Sequence, residues 1–426
     1  KSDYSRTRFT LGNLGMAYNL YQGSGTLTSF TLGVGYSKLA DFNTTSAAYG
    51  QGIDKSIMDV LAEYMNGVPL SSLGHPDNDP YQPFRRADVG LWGGILAYQT
   101  GILDPMSDAQ DNTQYTVANN LATGSRINPS MRNVNKGSID EYSISGGFNI
   151  QNILYLGFTI GIQDILYRND NYYAETYDNN SLPLNGMNYI RSLHLDGTGV
   201  NFKFGAVVRP IENLRIGVAV HTPTLVSINE EYIEWMSADY KNTARGELLD
   251  SPRSLNEYDI NTPTRLLTGI SYTLPGVGLI TADYERVWYN RMKLRNMGTE
   301  NWDFQQTINN EVSSFYQPAN NFRVGIEATP AQNFYIRAGY ANYGECIATR
   351  DAFNNMSSIN SYENYSAGLG FRFQNMYVDL AYIYTEYKYA PYTMFYYGDP
   401  DYVVNPGNVE TKQSRNTITM SVGVRF

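Results

Sequence analysis

The residue types that most often carry chemistry are scarce in this chain and form no recognisable catalytic set. The histidines are His75, His194 and His221, and no serine motif of the nucleophile-elbow type accompanies them. The acidic stretch 77–79 could offer oxygen ligands to Ca²⁺, but it lies between prolines, where a polar turn is the favoured interpretation. The sequence therefore predicts a protein that is not an enzyme and that binds no metal and no cofactor.

Charged side chains instead recur at alternate positions of strand-like segments. In 322–328, Arg323 and Glu327 alternate with Phe322, Val324 and Ile326. Alternation places the two sets on opposite faces of a strand. If the apolar face meets lipid, the charges must point the other way, because an Arg at the middle of a bilayer costs roughly 2–4 kcal/mol. The charges expected to point inward are Arg265, Asp283, Glu285, Arg323, Glu327, Arg337 and Asp379.

Composition fits a membrane sheet better than two or three soluble domains. The chain has 426 residues, a net charge of −10, 37 tyrosines, 38 glycines and only 17% charged residues. It has no run of 18 apolar residues, so no membrane-spanning helix is predicted. A mean hydropathy of −0.39 suits a transmembrane barrel, since half of each strand faces a polar lumen. The acidic balance argues against a nucleic-acid partner, and the single cysteine, Cys346, rules out an internal disulfide.

Thirteen strand candidates follow one another with regularly alternating connections. Short connections such as 23–25, 274–277 and 374–375 alternate with long ones such as 229–257 and 345–360. This alternation is typical of outer-membrane barrels, whereas a β-sandwich has no reason to show it. We therefore predict an all-β, transmembrane antiparallel β-barrel in the bacterial outer membrane, with a single domain over 1–426. The candidates are 6–22, 26–38, 139–150, 153–174, 190–208, 214–228, 258–273, 278–292, 319–329, 334–344, 361–373, 376–389 and 414–426.

Fourteen strands are expected in total, because single-chain bacterial barrels have an even number of strands. Residue 1 starts on the long-loop side and Phe426 ends on the short-turn side, so the missing strand is expected before Lys1. The absence of a signal peptide points the same way. The last strand ends on an aromatic residue, which is expected at the periplasmic rim.

Inside such a barrel, inward charges of both signs predict an ion-paired lumen network. The favoured interpretation is that this network fills and stiffens the barrel. The alternative is that it guides a substrate or a plug through the lumen.

The segment 39–138 is a long extracellular insert with little strand character. Apolar residues recur at helical spacing in 54–66, and further helices are predicted near 89–100 and 301–316. An apolar helix in an outer loop must bury its apolar face or leave an exposed apolar patch. These helices therefore either pack together as a cap or form a groove for hydrophobic molecules. The groove would be formed by Ile57, Leu61, Tyr64, Leu91, Trp92 and Leu96.

Several strand motifs follow one another in order over 190–426. The first, 199–224, combines a strand, a tight polar turn and a second strand that ends near Pro223. The later motifs are Thr262-Pro263-Thr264, Ala282-Asp283-Tyr284-Glu285, Phe322-Arg323-Val324-Gly325-Ile326-Glu327, Ile336-Arg337-Ala338-Gly339-Tyr340 and Asp379-Leu380-Ala381-Tyr382. In this order and spacing they resemble the FadL family of outer-membrane transporters for long-chain fatty acids and aromatic hydrocarbons.

The resemblance implies uptake of hydrophobic small molecules that are fatty-acid- or hydrocarbon-like. Such a molecule would be captured in the apolar loop groove, pass to a lumen site and leave through a lateral opening into the outer-membrane lipid. The family has fourteen strands and an N-terminal hatch, which here would precede Lys1. Its third strand is kinked at the lateral opening; the matching segment is 26–38, where Gly33 and Gly35 could permit a kink.

The alternative is a non-transporting barrel that serves as a scaffold or as a partner subunit of an outer-membrane secretion or assembly complex. Some relatives of the family in Bacteroidetes are similar to transporters but have such a role, and the many Tyr and Asn residues fit that source. The aromatic segment 392–397 could then be a protein interface, although an aromatic girdle at the membrane boundary is the favoured interpretation.

Overall fold

The computed structural model describes residues 7–73, 79–118, 126–178, 183–241, 247–298, 302–348, 359–390, 392–399 and 402–425, except for the side chains of Asp399 and Tyr402. His75, most of the acidic stretch 77–79 and the C-terminal Phe426 lie outside the described residues. Within the described part of the chain, no helix is long and apolar enough to cross a membrane.

The described residues form four α-helices, three short 3₁₀ turns and 24 strands, eighteen of which belong to one antiparallel sheet. The strands are β1 (Asn13–Gln22), β2 (Leu27–Asp41), β3 (Thr44–Tyr49), β4 (Leu103–Pro105), β5 (Tyr115–Val117), β6 (Ile127–Ile150), β7 (Leu154–Tyr177), β8 (Leu184–Ile211), β9 (Leu214–His221), β10 (Leu225–Tyr240), β11 (Leu249–Asp250), β12 (Ser254–Asn261), β13 (Arg265–Leu274), β14 (Gly278–Trp288), β15 (Lys293–Arg295), β16 (Pro318–Ala331), β17 (Phe334–Tyr343), β18 (Ile359–Phe373), β19 (Met376–Tyr389), β20 (Tyr392–Thr393), β21 (Tyr397–Asp399), β22 (Tyr402–Val404), β23 (Asn408–Val409) and β24 (Lys412–Val424). The helices are α1 (Ile57–Met65), α2 (Gln82–Arg85), α3 (Trp92–Gln99) and α4 (Trp302–Phe315), and the 3₁₀ turns cover Leu70–Leu73, Val89–Leu91 and Tyr289–Arg291.

The eighteen strands of the sheet occupy thirteen places across it. In several places two consecutive strands lie end to end and pair with the same neighbour. β9 and β10 both pair with β8 and so form one interrupted strand, and β12 with β13 forms the next. β2 with β3, and β14 with β15, share positions in the same way, while β11 extends β12. Each of the thirteen predicted segments corresponds to one position, and their order along the chain is their order across the sheet.

Three strands in the N-terminal half of the sheet are longer than the sequence predicts. β6 and β7 have 24 residues each and β8 has 28, whereas about 9–11 residues cross the hydrocarbon core. The predicted insert 39–138 therefore begins and ends inside strands, since β3 pairs with residues 130–135 of β6. These extensions carry Asn, Arg and Tyr on their outer face, so they lack the apolar alternation by which a membrane strand is recognised.

One face of the sheet exposes a continuous apolar surface. In β16, Phe322, Val324 and Ile326 are each more than half exposed, while Arg323 and Glu327 between them are partly buried on the opposite face. The same alternation exposes apolar side chains on β6, β7, β8, β13, β19 and β24. We call these outward side chains the apolar belt; on β7 they reach up to Leu166. Such a belt is the lipid-facing surface of a membrane barrel, so the predicted fold class, a transmembrane antiparallel barrel with short loop helices, is confirmed.

Among the described residues the sheet is not closed. β1 pairs with β2 and β24 pairs with β19, but no pairing joins β1 to β24. Both edge strands run from the long-loop side to the short-turn side. The fourteenth strand therefore stays a prediction.

The predicted kink of β2 at Gly33 and Gly35 stays a prediction. Both glycines pair in register with β1 on one side and with β6 on the other. The irregularities in the pairing of β2 with β6 lie near the strand ends, at 27–29 and 38–40. Glycine lowers the cost of bending a strand, and the register of β2 with both neighbours is continuous from Gly33 to Gly35.

The three predicted helices are present with shorter bounds. α1 lies within 54–66, α3 forms the second half of 89–100 after a 3₁₀ turn, and α4 corresponds to 301–316. α1 begins after Ser56, whose hydroxyl accepts the backbone N–H of Met58 while Asp59 accepts the N–H of Ser56. This capping box explains where the helix starts.

Candidate functional site

The helices α1 and α3 form an apolar cap on the extracellular side of the sheet. Their buried side chains pack against residues of the inner face of the strand extensions, including Tyr173, Tyr189 and Met236. The inner face is the one that carries the lumen charges lower down. The cap therefore sits over the lumen, on the inner side of the extended strands.

The structure brings the six predicted groove residues together, mostly as packed interior. Ile57, Leu61, Trp92 and Leu96 are each at most 5% exposed, and Leu91 is partly buried. Tyr64 differs, because 45% of it is exposed and its ring lies edge-on to Tyr397, 5.7 Å between centroids. Of the six, Tyr64 offers the most accessible apolar surface, and a groove at this place stays a prediction.

The aromatic segment 392–397 also belongs to the cap. Tyr392, Met394 and Phe395 are buried, and the Phe395 ring packs edge-on against Tyr173 with 5.9 Å between centroids. Both predicted roles, a protein interface and a membrane girdle, require these side chains to be exposed, so both are wrong for them. The segment has no periodicity that would have indicated burial.

A buried carboxylate on β7 anchors the cap to the sheet. Glu175 accepts hydrogen bonds from the Ser56 hydroxyl at 2.6 Å and from the Ile57 backbone N–H at 2.8 Å. The hydroxyls of Tyr173 and Tyr177 donate to the same carboxylate, at 2.6 and 2.9 Å. Glu175 lies nine positions beyond the end of the apolar belt on β7, and burial raises the pKa of its carboxyl despite these four donors. The first turn of α1 is thus held by the strand wall.

The predicted lumen charges form two ion-paired groups. Glu285 lies between Arg265, 3.5 Å away, and Arg323. Arg337 bridges Glu327, at 2.7 Å, and Asp379. The two groups connect β13, β14, β16, β17 and β19. Six of the seven predicted charges are therefore paired, which is what a stiffening network requires.

Sequence reasoning missed a third polar group on the same face. Glu141 of β6 is buried and accepts hydrogen bonds from Gln163 at 3.0 Å, from Asn201 at 3.1 Å and from Lys203. Its neighbours in sequence, Tyr142 and Ile144, belong to the belt side of the strand. Applying the alternation rule to 139–150 would have placed Glu141 in the lumen.

A lumen cavity lies against the strand wall near the short-turn side. Its volume is about 660 Å³, and its lining side chains come mainly from lumen-facing positions of β7, β8, β9, β13 and β14. The wall is smooth where Gly157, Gly205, Gly217 and Gly269 face inward, because no side chain projects there. The polar residues Arg215, Asp283 and Arg323 also line it. Asp283, the seventh predicted charge, is therefore a cavity residue.

A lipid-facing antiparallel sheet with a capped lumen defines the chain as a protein of the outer-membrane β-barrel class. No family model and no curated protein matches the sequence. Among solved structures, the chain is similar to a FadL homologue of Pseudomonas aeruginosa, with 14% identity, 75% of this chain and 74% of that chain covered, and a TM-score of 0.43.

Two further solved structures to which the chain is similar are toluene transporters. TodX of P. putida is 11% identical, with 96% of this chain and 79% of that chain covered, and TbuX of Ralstonia pickettii is 11% identical, with 97% and 81% covered. The TM-score is 0.43 for each. Similarity at this level assigns neither a family nor a cargo to the chain.

Proposed function

We propose that this protein carries hydrophobic small molecules of the fatty-acid or hydrocarbon type across the outer membrane. The observation that supports this most is the arrangement of an apolar cap above a lumen cavity on the same face of the sheet. A cap filled with apolar side chains is a poor entrance for a hydrated solute. Hydrophobic molecules gain free energy by leaving water for such surroundings.

In this proposal the exposed face around Tyr64 and Tyr397 is the place of first contact. The molecule then reaches the lumen cavity, where the glycine-lined wall provides room and Arg215 or Arg323 can pair with an acidic headgroup. Lateral release into lipid is part of the proposal, and the segment 26–38 with Gly33 and Gly35 is its candidate position.

The cavity can be filled without disturbing the backbone. A Cβ atom built on Gly157 or Gly205 meets its nearest neighbour at 3.9 or 3.6 Å, which is ordinary van der Waals contact. We therefore expect Gly157→Leu with Gly205→Leu to reduce oleate and hexadecane uptake by whole cells at least about tenfold. The matched control is Ala381→Leu, which adds the same side chain at a lumen-facing position of β19 away from the cavity.

Purified protein gives the second readout. Fluorescent fatty-acid binding should fall in the cavity-filled variant and in Tyr64→Ala, and Arg215→Gln should weaken oleate binding while hexadecane binding stays. Uptake that is unchanged in the cavity-filled variant, with normal assembly in the membrane, would refute a transport route through this cavity.

A groove on the outside of the strand extensions supports the second candidate, a partner subunit of an outer-membrane complex. It has a volume of about 560 Å³ and is lined by Tyr49, Arg132, Tyr172, Ile190 and Leu248, among others. It lies above the apolar belt, where a protein partner could reach it. Purification in mild detergent that recovers a stoichiometric partner, lost on Tyr172→Ala, would favour this candidate over transport.

A further inference from the structure

Four basic side chains lie together at the extracellular end of the apolar belt, and the lumen network does not use them. They are Arg286 on β14, Arg291 at the end of the following 3₁₀ turn, and Lys293 and Arg295 on β15. We call these four residues the basic rim. The chain as a whole carries a net charge of −10, so a local group of cations is unusual for it.

Arg286 points to the outside of the barrel. It follows Ile280, Ala282 and Tyr284 at alternate positions of β14, and Ile280 is half exposed in the belt. Its guanidinium donates to the side-chain oxygen of Asn320 at 3.3 Å, and the Tyr284 hydroxyl donates to the same atom at 2.7 Å. Arg286 therefore continues the lipid-facing row of β14 where the apolar side chains end.

Lys293 and Arg295 lie on the same outer face, further from the membrane. Lys293 is paired across the sheet with Asn261, which is in turn paired with the exposed belt residue Leu225. Directly opposed residues of antiparallel strands share a face. Arg295 is paired with Asp259 in the same way. The three basic-rim residues on β14 and β15, Arg286, Lys293 and Arg295, therefore all face outward.

The basic rim carries a net excess of positive charge, because a single carboxylate of the described strands, Asp259, lies directly opposite one of its four cations, Arg295. Within the described residues, none of its four cations forms an ion pair. The nearest opposed carboxylate, Asp259, accepts hydrogen bonds from Ser227 and Asn296 instead. Cations in excess of the carboxylates around them favour an anionic ligand.

An indole ring organises two of these cations. The guanidinium groups of Arg286 and Arg291 lie 5.8 and 5.6 Å from the centroid of the Trp288 ring. Tryptophan is enriched at the boundary between hydrocarbon and headgroups, and it also keeps the two guanidinium groups near each other. The site thus has an apolar base in the belt, an aromatic boundary and a cationic top.

We propose that the basic rim binds the phosphorylated headgroup of an outer-leaflet glycolipid. Arginine pairs with phosphate through two parallel hydrogen bonds, and the acyl chains would lie on the apolar belt directly below. A lipid with a phosphorylated headgroup and acyl chains provides both the anion for the basic rim and the apolar surface for the belt. A free anion would satisfy the rim alone, without the belt.

The test uses the full-length protein in detergent and native mass spectrometry with three lipids: diphosphorylated lipid A, its dephosphorylated form and phosphatidylcholine. We expect the protein to prefer the diphosphorylated form and to lose that preference as ionic strength rises. The double variant Arg291→Gln with Lys293→Gln changes two exposed side chains and should lower affinity for diphosphorylated lipid A at least about tenfold, since each cation near an anionic surface contributes on the order of fivefold.

The control variant is Arg85→Gln with Arg253→Gln, which also removes two exposed cations, each ion-paired elsewhere. It should keep its affinity within about twofold. Equal loss in the control, unchanged affinity in the rim variant or no preference for phosphate would each overturn the proposal. So would displacement of the lipid by millimolar inorganic phosphate, because that result identifies a simple anion site.

Discussion

The Glu175 carboxylate of β7 accepts the backbone N–H of Ile57, the first residue of α1, at 2.8 Å. One buried carboxylate thereby accepts a backbone N–H at the start of a helix that lies 118 positions away in sequence. This bond and the one from Ser56 are the polar links that join the cap to the strand wall at this point. They hold the first turn of α1, while the Tyr240 hydroxyl of β10 donates to the carbonyl oxygens of Thr100 and Gly101 after α3.

Replacing Glu175 with alanine should loosen the cap. The change leaves the Ile57 N–H and three hydroxyls without their acceptor, at a cost of about 1–3 kcal/mol. We expect faster proteolytic cleavage within 57–118 in the folded protein. Glu175→Gln should have a smaller effect, since the amide retains a carbonyl acceptor and buries no charge. Equal cleavage rates in all three proteins would contradict the anchoring role.

Removal of the Glu285 side chain should destabilise the barrel wall. Its carboxylate is 5% exposed and faces both Arg265 and Arg323, so Glu285→Ala leaves two guanidinium groups in the lumen without a partner. We expect a loss of about 2–3 kcal/mol in urea unfolding from lipid vesicles. Glu212→Ala is the control, because that side chain is 88% exposed in a turn and should cost almost nothing.

Truncation of a buried side chain in the cap should destabilise the cap, whereas truncation of an exposed one should not. Trp92 is 5% exposed and packs edge-on against Phe84 with 5.9 Å between ring centroids. Trp92→Ala should therefore cost about 3–5 kcal/mol of cap stability, measured by hydrogen exchange of α1 and α3. Tyr64→Ala should leave that exchange unchanged. If hydrogen exchange is the same in both variants, the assignment of Trp92 to the cap core and of Tyr64 to its accessible surface is wrong.

Gly137 should be intolerant of any side chain. Its φ of +115° is unfavourable for other residues, and a Cβ atom there would lie 2.0 Å from the carbonyl oxygen of Leu166 on the paired strand. Gly137→Ala should cost at least about 1–3 kcal/mol from backbone strain and lower the amount of folded barrel seen by heat-modifiable gel mobility. Gly147→Ala, whose nearest contact would be at 4.0 Å, should assemble normally.

The sheet could be predicted from sequence because its signal is local. Alternation such as that of Phe322, Val324 and Ile326 against Arg323 and Glu327 records which face meets lipid, and every strand in the belt carries its own copy. The same rule places Arg337, Glu327 and Asp379 on the lumen face, whereas their pairing depends on the register of β16, β17 and β19. The third lumen group around Glu141 was within reach of this reasoning.

The cap and the extensions could not be predicted in the same way. Whether Leu61 lines a groove or fills a core depends on what packs over it, and that partner surface comes from strands far away in sequence. Tyr392 and Phe395 give no periodic signal at all. Gly33 and Gly35 permit a bend in β2, but residue type alone does not say whether the strand is bent.

The length of β8 fixes how far this protein stands out from the cell. Of its 28 residues, about 11 suffice for the hydrocarbon core. The twelve residues 184–195 lie beyond Asp196, the partner of the last belt residue Leu166, and at about 3.3 Å per residue and a tilt of roughly 40° they rise on the order of 30 Å. That height is comparable to the thickness of the hydrocarbon core itself. The extracellular end of the protein therefore projects beyond the headgroup layer, so a molecule that approaches the cell meets the cap before it meets the membrane.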